Sequence, residues 1–268
     1  MGTDNTPLCD RHSYDLDIPY YSGYIVEYDI RKANISALRS RGVISEEVYD
    51  MLFRADKQYR EVYIGNMIKA DRGIYDNIQA GIIDAKRKFF SANRIKNEEV
   101  LSIKNDAVFV LTSRKMKTTF DLYEFANKGY YTFYFKSMKK QFFYRFNNHT
   151  GKDILEVKGI SDEKLLFHTD YFVKFLLDVF YSLQRSSIEE TLNLCNQFYE
   201  EYVNKRLDIR FYRELSPDNI FRLTRADGTS FGLTDVDPQY LGLIDINYNL
   251  RIIRDLINVV NMIYFNQR

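Results

Sequence analysis

Tyr24-Ile25-Val26-Glu27-Tyr28-Asp29-Ile30 and Val100-Leu101-Ser102-Ile103-Lys104-Asn105-Asp106-Ala107-Val108-Phe109-Val110-Leu111-Thr112 are the two stretches whose reading decides the fold. The first is dense in β-branched and aromatic side chains and predicts a strand that closes on an aspartate. The second predicts two strands meeting at the polar triplet Lys104-Asn105-Asp106, which makes the turn between β-prone flanks. Each aspartate therefore stands where a strand meets a turn. Two carboxylates from separate strands, held close together, can bridge a pair of Mg²⁺ ions. One metal then activates an attacking hydroxyl, and the other neutralises a triphosphate and its leaving pyrophosphate. Aspartates in such places also serve as plain turn residues. The residues alone leave both readings open.

Working outward, residues 1 to 18 are polar and irregular, and a loose tail is expected. Ser45 followed by Glu46 and Glu47 predicts a helix start, with helical character to about Ala70 and a break or bend near Arg54. Asp71-Arg72-Gly73 punctuates it. A second helix, from about Asp76 to Ser91, places Ile78, Ile82, Ile83, Ala85 and Phe89 on one side. Short aromatic strands fill residues 117 to 158, with turns around Lys128-Gly129 and Asn147 to Lys152. After Ser161 the pattern is helical over about 162–184 and 187–206. A mixed segment turns at Asp227-Gly228, and a last amphipathic helix runs from about Asn247 to Phe265. The expected class is α+β with an antiparallel sheet. The best boundary lies near Gly159-Ile160, between a front region from 19 to 160 and a helical region from 161 to 268.

The chain has 268 residues, enough to bury a core. Its charged residues nearly cancel, leaving +1, so only their distribution can speak to a polyanionic partner. Two cysteines build neither a disulfide framework nor a cysteine-rich zinc site, and three scattered histidines form no ligand cluster. A reducing setting fits. The first seventeen residues lack the apolar core of a signal peptide, and no run approaches the ~20 apolar residues of a membrane span. A cytoplasmic protein is expected, in the host cytoplasm if the chain is viral. Cys195 reads as helix core and His168 as a structural histidine, and Asp235 and Asp237 shape the turn before Pro238.

In order along the front region, the motifs resemble those of family B DNA polymerases. Their motif A is a strand leading into D-x-x-S-L-Y-P-S. Tyr28-Asp29-Ile30-Arg31-Lys32-Ala33-Asn34-Ile35-Ser36 keeps its aspartate and final serine. Their motif C is a hairpin bearing D-T-D, matched by Lys104-Asn105-Asp106. Lys139-Lys140-Gln141-Phe142-Phe143-Tyr144 and Lys158-Gly159-Ile160 resemble the paired-lysine and K-G motifs that hold the primer–template duplex. The resemblance implies a palm over 19–160 with small helical fingers at about 45–70, followed by a thumb-like region. It implies template-directed nucleotidyl transfer with two Mg²⁺ (or Mn²⁺) ions on Asp29, Asp106 and the Ile30 carbonyl. Lys139, Lys140, Tyr144, Lys158 and Gly159 would grip a DNA or RNA primer–template. Asn34, at the motif A tyrosine position, would face the sugar of the nucleoside triphosphate.

The departures are specific. Asp106 follows Asp29 by only 77 positions, so the fingers are expected to be reduced. Motif B, K-x-x-x-N-S-x-Y-G, survives as Lys57 and Gly65, with Glu61 and Ile64 in place of its Asn and Tyr. On one continuous helix Arg54, Lys57, Glu61 and Gly65 would share a face, with Arg60 beside them, and such a face would receive a triphosphate. The same face serves equally as a solvated one. Lys104 replaces the first acid of D-T-D. The stretch before motif A is short for a proofreading exonuclease, so that activity, if needed, is expected on another chain. Between Arg114 and Arg145, eight Lys/Arg stand against two acids, with eleven aromatics interleaved, a composition suited to a nucleic-acid groove. Alternatively the aromatics face inward as sheet core. The leading expectation is a minimal polymerase, with a replisome protein or a second polymerase subunit as a candidate partner. The alternative is a decayed palm acting as a nucleic-acid-binding module or as a subunit of a split replicative polymerase.

Overall fold

The computed structural model describes residues 6–266 and divides into two compact units. The first comprises Met1–Asp17 with Tyr24–Tyr130, and the second Ile18–Gly23 with Tyr131–Arg268. The division thus falls at Tyr130, not at Gly159-Ile160. The shift has a simple cause: the strands after Tyr130 share their core with the helices that follow them.

The first unit contains strands β1 (Ser13–Asp15) and β2 (Tyr20–Ile30), helices α1 (Ala33–Ser40), α2 (Glu46–Arg54), α3 (Lys57–Ala70) and α4 (Gly73–Asn93), and strands β3 (Val100–Lys104), β4 (Ala107–Val110), β5 (Thr119–Phe120) and β6 (Tyr123–Ser137). Strands β2 and β6 each contribute residues to both units. The pairing is antiparallel in the order β1-β3-β4-β2, with β5 on β6. The break near Arg54 is real and sharp. Ala55 is extended, and Asp56 caps α3 by accepting from the Tyr59 amide at 2.7 Å. Ser45 caps α2 as the sequence implies.

Helix α4 presents Ile78, Ile82, Ala85 and Phe89 to a core that includes Val26, Tyr28, Ile103 and Val108. Phe89 stacks on Phe125 at 4.3 Å between centroids. Helix α1 crosses α4 so closely that a Cβ on Gly81 would stand 2.6 Å from the Ala37 Cβ. The expected loose tail is tied down from residue 6 onward; its first five residues lie outside those described. Leu8 is buried, Arg87 grips Asp10 with two hydrogen bonds, and β1 pairs with β3.

The second unit adds β7 (Lys140–Asn147), β8 (Lys152–Lys158), α5 (Asp162–Leu166), α6 (Phe172–Arg185), α7 (Ile188–Val203), β9 (Phe221–Thr224), β10 (Ser230–Leu233) and α8 (Asn247–Asn266). Its meander β6-β7-β8 turns one face, with Phe133, Phe135, Phe142, Tyr144 and Val157, into a core with α6, α7 and α8. Phe175 and Phe198 stack there at 3.6 Å. The single helix expected over 162–184 is two helices, with a turn at 167–171. His168 in that turn is buried, its Nε2 2.6 Å from Asn219 Oδ1, and Cys195 is core. Asp237 caps a 3-10 turn by accepting from the Gln239 amide. Among the described residues no helix is long and apolar enough to cross a membrane.

Candidate active site

The β3–β4 connection is a two-residue hairpin, because Lys104 pairs with Ala107 and only Asn105 and Asp106 lie between. Asn105 adopts φ +56°, a left-handed conformation that asparagine tolerates better than most side chains. The chain N-terminal to β2 braces this tip. His12 accepts from the Asn105 amide at 2.7 Å, and Lys104 reaches Asp15 at 2.7 Å. The position matching the first motif C acid therefore holds a cation engaged elsewhere.

Across the neighbouring pair of strands Asp29 stands opposite Ala107, and the Ile30 amide donates to the Asp106 carbonyl at 3.3 Å. This register sets the Asp29 and Asp106 side chains close enough to share a hydrogen bond. Burial pushes the Asp106 carboxyl up to about 6, and the negative charge of Asp29 and that hydrogen bond push the same way. Lys86 opposes them. It is fully buried on α4, and its Nζ donates to the Arg11 carbonyl at 2.5 Å. Burial lowers the Lys86 ammonium to about 8, against the charges of Cys9, Asp10 and Asp106.

The two aspartates line a cleft of about 460 Å³ together with Ile30, Asn34, Lys57 and Arg60, all expected site residues. Arg54 does not line it, since the break at Ala55–Asp56 takes it off the helix that carries Lys57. Lys57 lies 3.6 Å from Glu61 one turn on. Arg60 donates to the Ala55 carbonyl. Three further cations line the cleft: Arg31, Lys32 and Lys128. Arg31 pairs with Glu124 at 2.9 Å, and Lys128 Nζ stands 3.4 Å from Asp29 Oδ2. Lys32 sits at φ +51°, an uncommon conformation for lysine. Its ammonium donates to the Phe53 carbonyl and lies 3.6 Å from the Phe53 ring centroid. Burial, and then the neighbouring Arg60 and Arg31 guanidiniums, lower the Lys32 pKa.

Among the described residues, no group of three or more His, Cys, Asp or Glu is placed to hold a metal by itself. A pair of carboxylates with one backbone carbonyl still fits Mg²⁺, which keeps several waters and takes oxygens from substrate phosphates. The donor set is hard oxygen throughout.

The residues expected to hold the duplex lie in the second unit and fare differently. Lys139 is exposed. Lys140 is buried, donates to the Tyr248 hydroxyl and stacks over that ring, and Tyr144 is buried with its hydroxyl donating to Asp153 at 2.6 Å. Neither side chain is presented to a ligand, which corrects their assignment as nucleic-acid contacts. Lys158 pairs with Glu156 at 2.8 Å. Gly159, at φ +100°, is required by the backbone, since a Cβ there would meet the Lys139 carbonyl at 3.2 Å.

Sequence reading missed helix α1, the cleft roles of Lys32 and Lys128, and Lys86. Only Lys86 left a legible signal, a lysine four residues after Ile82 on a stripe otherwise apolar.

The chain belongs to the Bacteriophage PBS1 gene 130 protein family, whose model matches residues 5–262. No curated protein matches it.

Proposed function

We propose that the chain is a template-directed nucleotidyl transferase, a reduced polymerase whose acid pair is Asp29 and Asp106. The observation that carries the reading is the adjacency of these two carboxylates, from β2 and the β3–β4 tip, in a cleft whose lining also includes five cations. Asp29, Asp106 and the Ile30 carbonyl would hold two Mg²⁺ or Mn²⁺ ions. Bound there, the metals would supply an activated hydroxyl nucleophile and neutralise the triphosphate. Lys57 and Arg60 on α3 face the same cleft and would neutralise and orient the phosphates, catalysis of this kind being mostly positioning and charge. Asn34, on the first turn of α1, would lie under the nucleotide sugar. Its amide donates to or accepts from a 2′-hydroxyl, where the aromatic ring of the resembling family excludes one. Membership of a phage protein family fits a replication enzyme acting in the host cytoplasm on a DNA or RNA primer–template, with exposed Lys139 among the candidate duplex contacts.

Parallel primer-extension reactions with dNTPs and NTPs test the proposal. The wild type should extend a primer with weak sugar discrimination, and Asn34→Tyr should shift incorporation toward dNTPs. Strong wild-type preference for dNTPs would remove Asn34 from the sugar site. Absence of extension with either set would overturn the enzyme reading. One observation favours the second reading, a nucleic-acid-binding module or subunit of a split polymerase. Lys104 is committed to Asp15, so the hairpin supplies one acid where the resembling motif has two. Duplex binding without incorporation would select it.

A further inference from the structure

The acid pair is already supplied with counterions by the protein itself. Lys128 lies 3.4 Å from Asp29, with about half its side chain exposed. Lys86, whose charge acts on Asp106, is fully buried and fastened to the Arg11 carbonyl. These cations differ in one respect that matters. Lys128 can swing into solvent at little cost, because an exposed ion pair contributes little. Lys86 cannot leave.

The cleft lining as a whole carries Arg31, Lys32, Lys57, Arg60 and Lys128 against Asp29, Glu61 and Asp106, an excess of two positive charges with all carboxyls ionised. Two of these cations, Lys32 and Arg60, donate, among the described residues, to the main-chain carbonyls of Phe53 and Ala55. A bare dication entering such a site meets a net repulsive field and must displace Lys128. A dication chelated by a polyphosphate arrives with net negative charge. It offers phosphate oxygens to Lys32 and Arg60 and completes a metal coordination shell that two carboxylates leave open.

We infer that Lys128 and Lys86 are built-in counterions that keep this cleft from holding a divalent cation alone, so that metal enters as a metal–polyphosphate complex. The inference rests on the proposed metal-binding role of Asp29 and Asp106. Metal and polyphosphate binding are then strongly coupled, each raising the affinity for the other by the same factor. Lys128 is the displaceable half of the device and Lys86 the permanent half.

Mn²⁺ titrations of the full chain, followed by calorimetry and by the loss of the free Mn²⁺ electron paramagnetic resonance signal, test this without turnover. They are run with and without inorganic tripolyphosphate at a fixed free-metal scale. Wild type should bind Mn²⁺ at least about tenfold more tightly with tripolyphosphate present, within the usual range of coupling between sites. Lys128→Gln should tighten binding of Mn²⁺ alone on the order of tenfold and shrink the coupling. Lys86→Met should act in the same direction if it folds, and Asp106→Asn should abolish both signals. Equal Mn²⁺ affinity with and without tripolyphosphate, or a Lys128→Gln protein that matches wild type, overturns the inference. Coupling in a protein that extends no primer would leave the inference standing and sink the polymerase reading. Primer extension without coupling would do the reverse.

Discussion

The two compact units use the same side-chain types to opposite ends. In the first, charges of like sign are crowded around a cleft: Asp29 against Asp106, and Lys32 among Arg31 and Arg60. In the second, several buried polar side chains have a specific polar partner. Glu214 receives two hydrogen bonds from Arg222 at 2.8 and 3.2 Å, His168 meets Asn219, and Tyr144 meets Asp153. A matched buried charge is costly to break, because removing one partner strands the other. A crowded charge is costly to keep, and such strain persists where a ligand relieves it. The difference separates a scaffold from a site more clearly than composition does.

That contrast can be broken by mutation, and the largest effect belongs to the second unit. Glu214→Ala should destabilise the protein by about 2–3 kcal/mol in urea unfolding, since it removes a buried carboxylate and its two charge-assisted hydrogen bonds from the partly exposed Arg222. A loss under about 1 kcal/mol would mean that Arg222 is satisfied by solvent and the pair is not structural.

Next in size is an acid effect centred on His168. Burial, with a smaller contribution from the Arg213 charge, lowers its pKa to about 4 from 6.5, so the folded protein keeps it neutral while the unfolded chain protonates it. Its contribution is intact above pH 6.5 and is lost progressively as pH falls toward 4. The loss should reach about 2 kcal/mol by pH 5. An NMR titration should find the His168 ring neutral down to about pH 4. Protonation near pH 6.5 would contradict its buried, neutral placement.

Gly81→Ala should cost about 1–2 kcal/mol, the added methyl colliding with Ala37 where α1 crosses α4. Because α1 follows the Asp29 strand directly, this variant should also weaken Mn²⁺–tripolyphosphate binding. A fully stable Gly81→Ala protein would show that the crossing can relax. The smallest effect is expected in the cleft itself: Lys128→Gln should change unfolding free energy by less than about 0.5 kcal/mol. A larger loss would class Lys128 with the matched charges of the second unit.

The sequence made local structure legible wherever periodicity or capping carried it. Ser45 marked a helix start, the Arg54 break was visible, and the hairpin tip at Asn105-Asp106 followed from strand propensity on both sides. The pairing of Asp29 with Asp106 needed the motif order as well as the strands. What stayed hidden depends on long-range contact. Lys140 and Tyr144 read as groove residues because an aromatic, basic strand looks alike whether its face meets solvent or helices. The N-terminal segment read as loose because its anchors, Arg87 and Lys86, lie more than seventy residues away. Helix α1 was missed because the residue in its N-cap position, Lys32, provides no side-chain cap.

The central claim is that crowding at Asp29 and Asp106 serves chemistry and not stability, and Asp106→Asn tests it most directly. Unfolding and primer extension are measured on the same preparation. The substitution removes one of two apposed carboxylates, so the melting temperature should hold or rise slightly. Nucleotide incorporation should fall by roughly a thousandfold or more, since metal-assisted phosphoryl transfer has no substitute for the lost anion. Incorporation within a few-fold of wild type, or a melting temperature lowered by several degrees, would contradict the account.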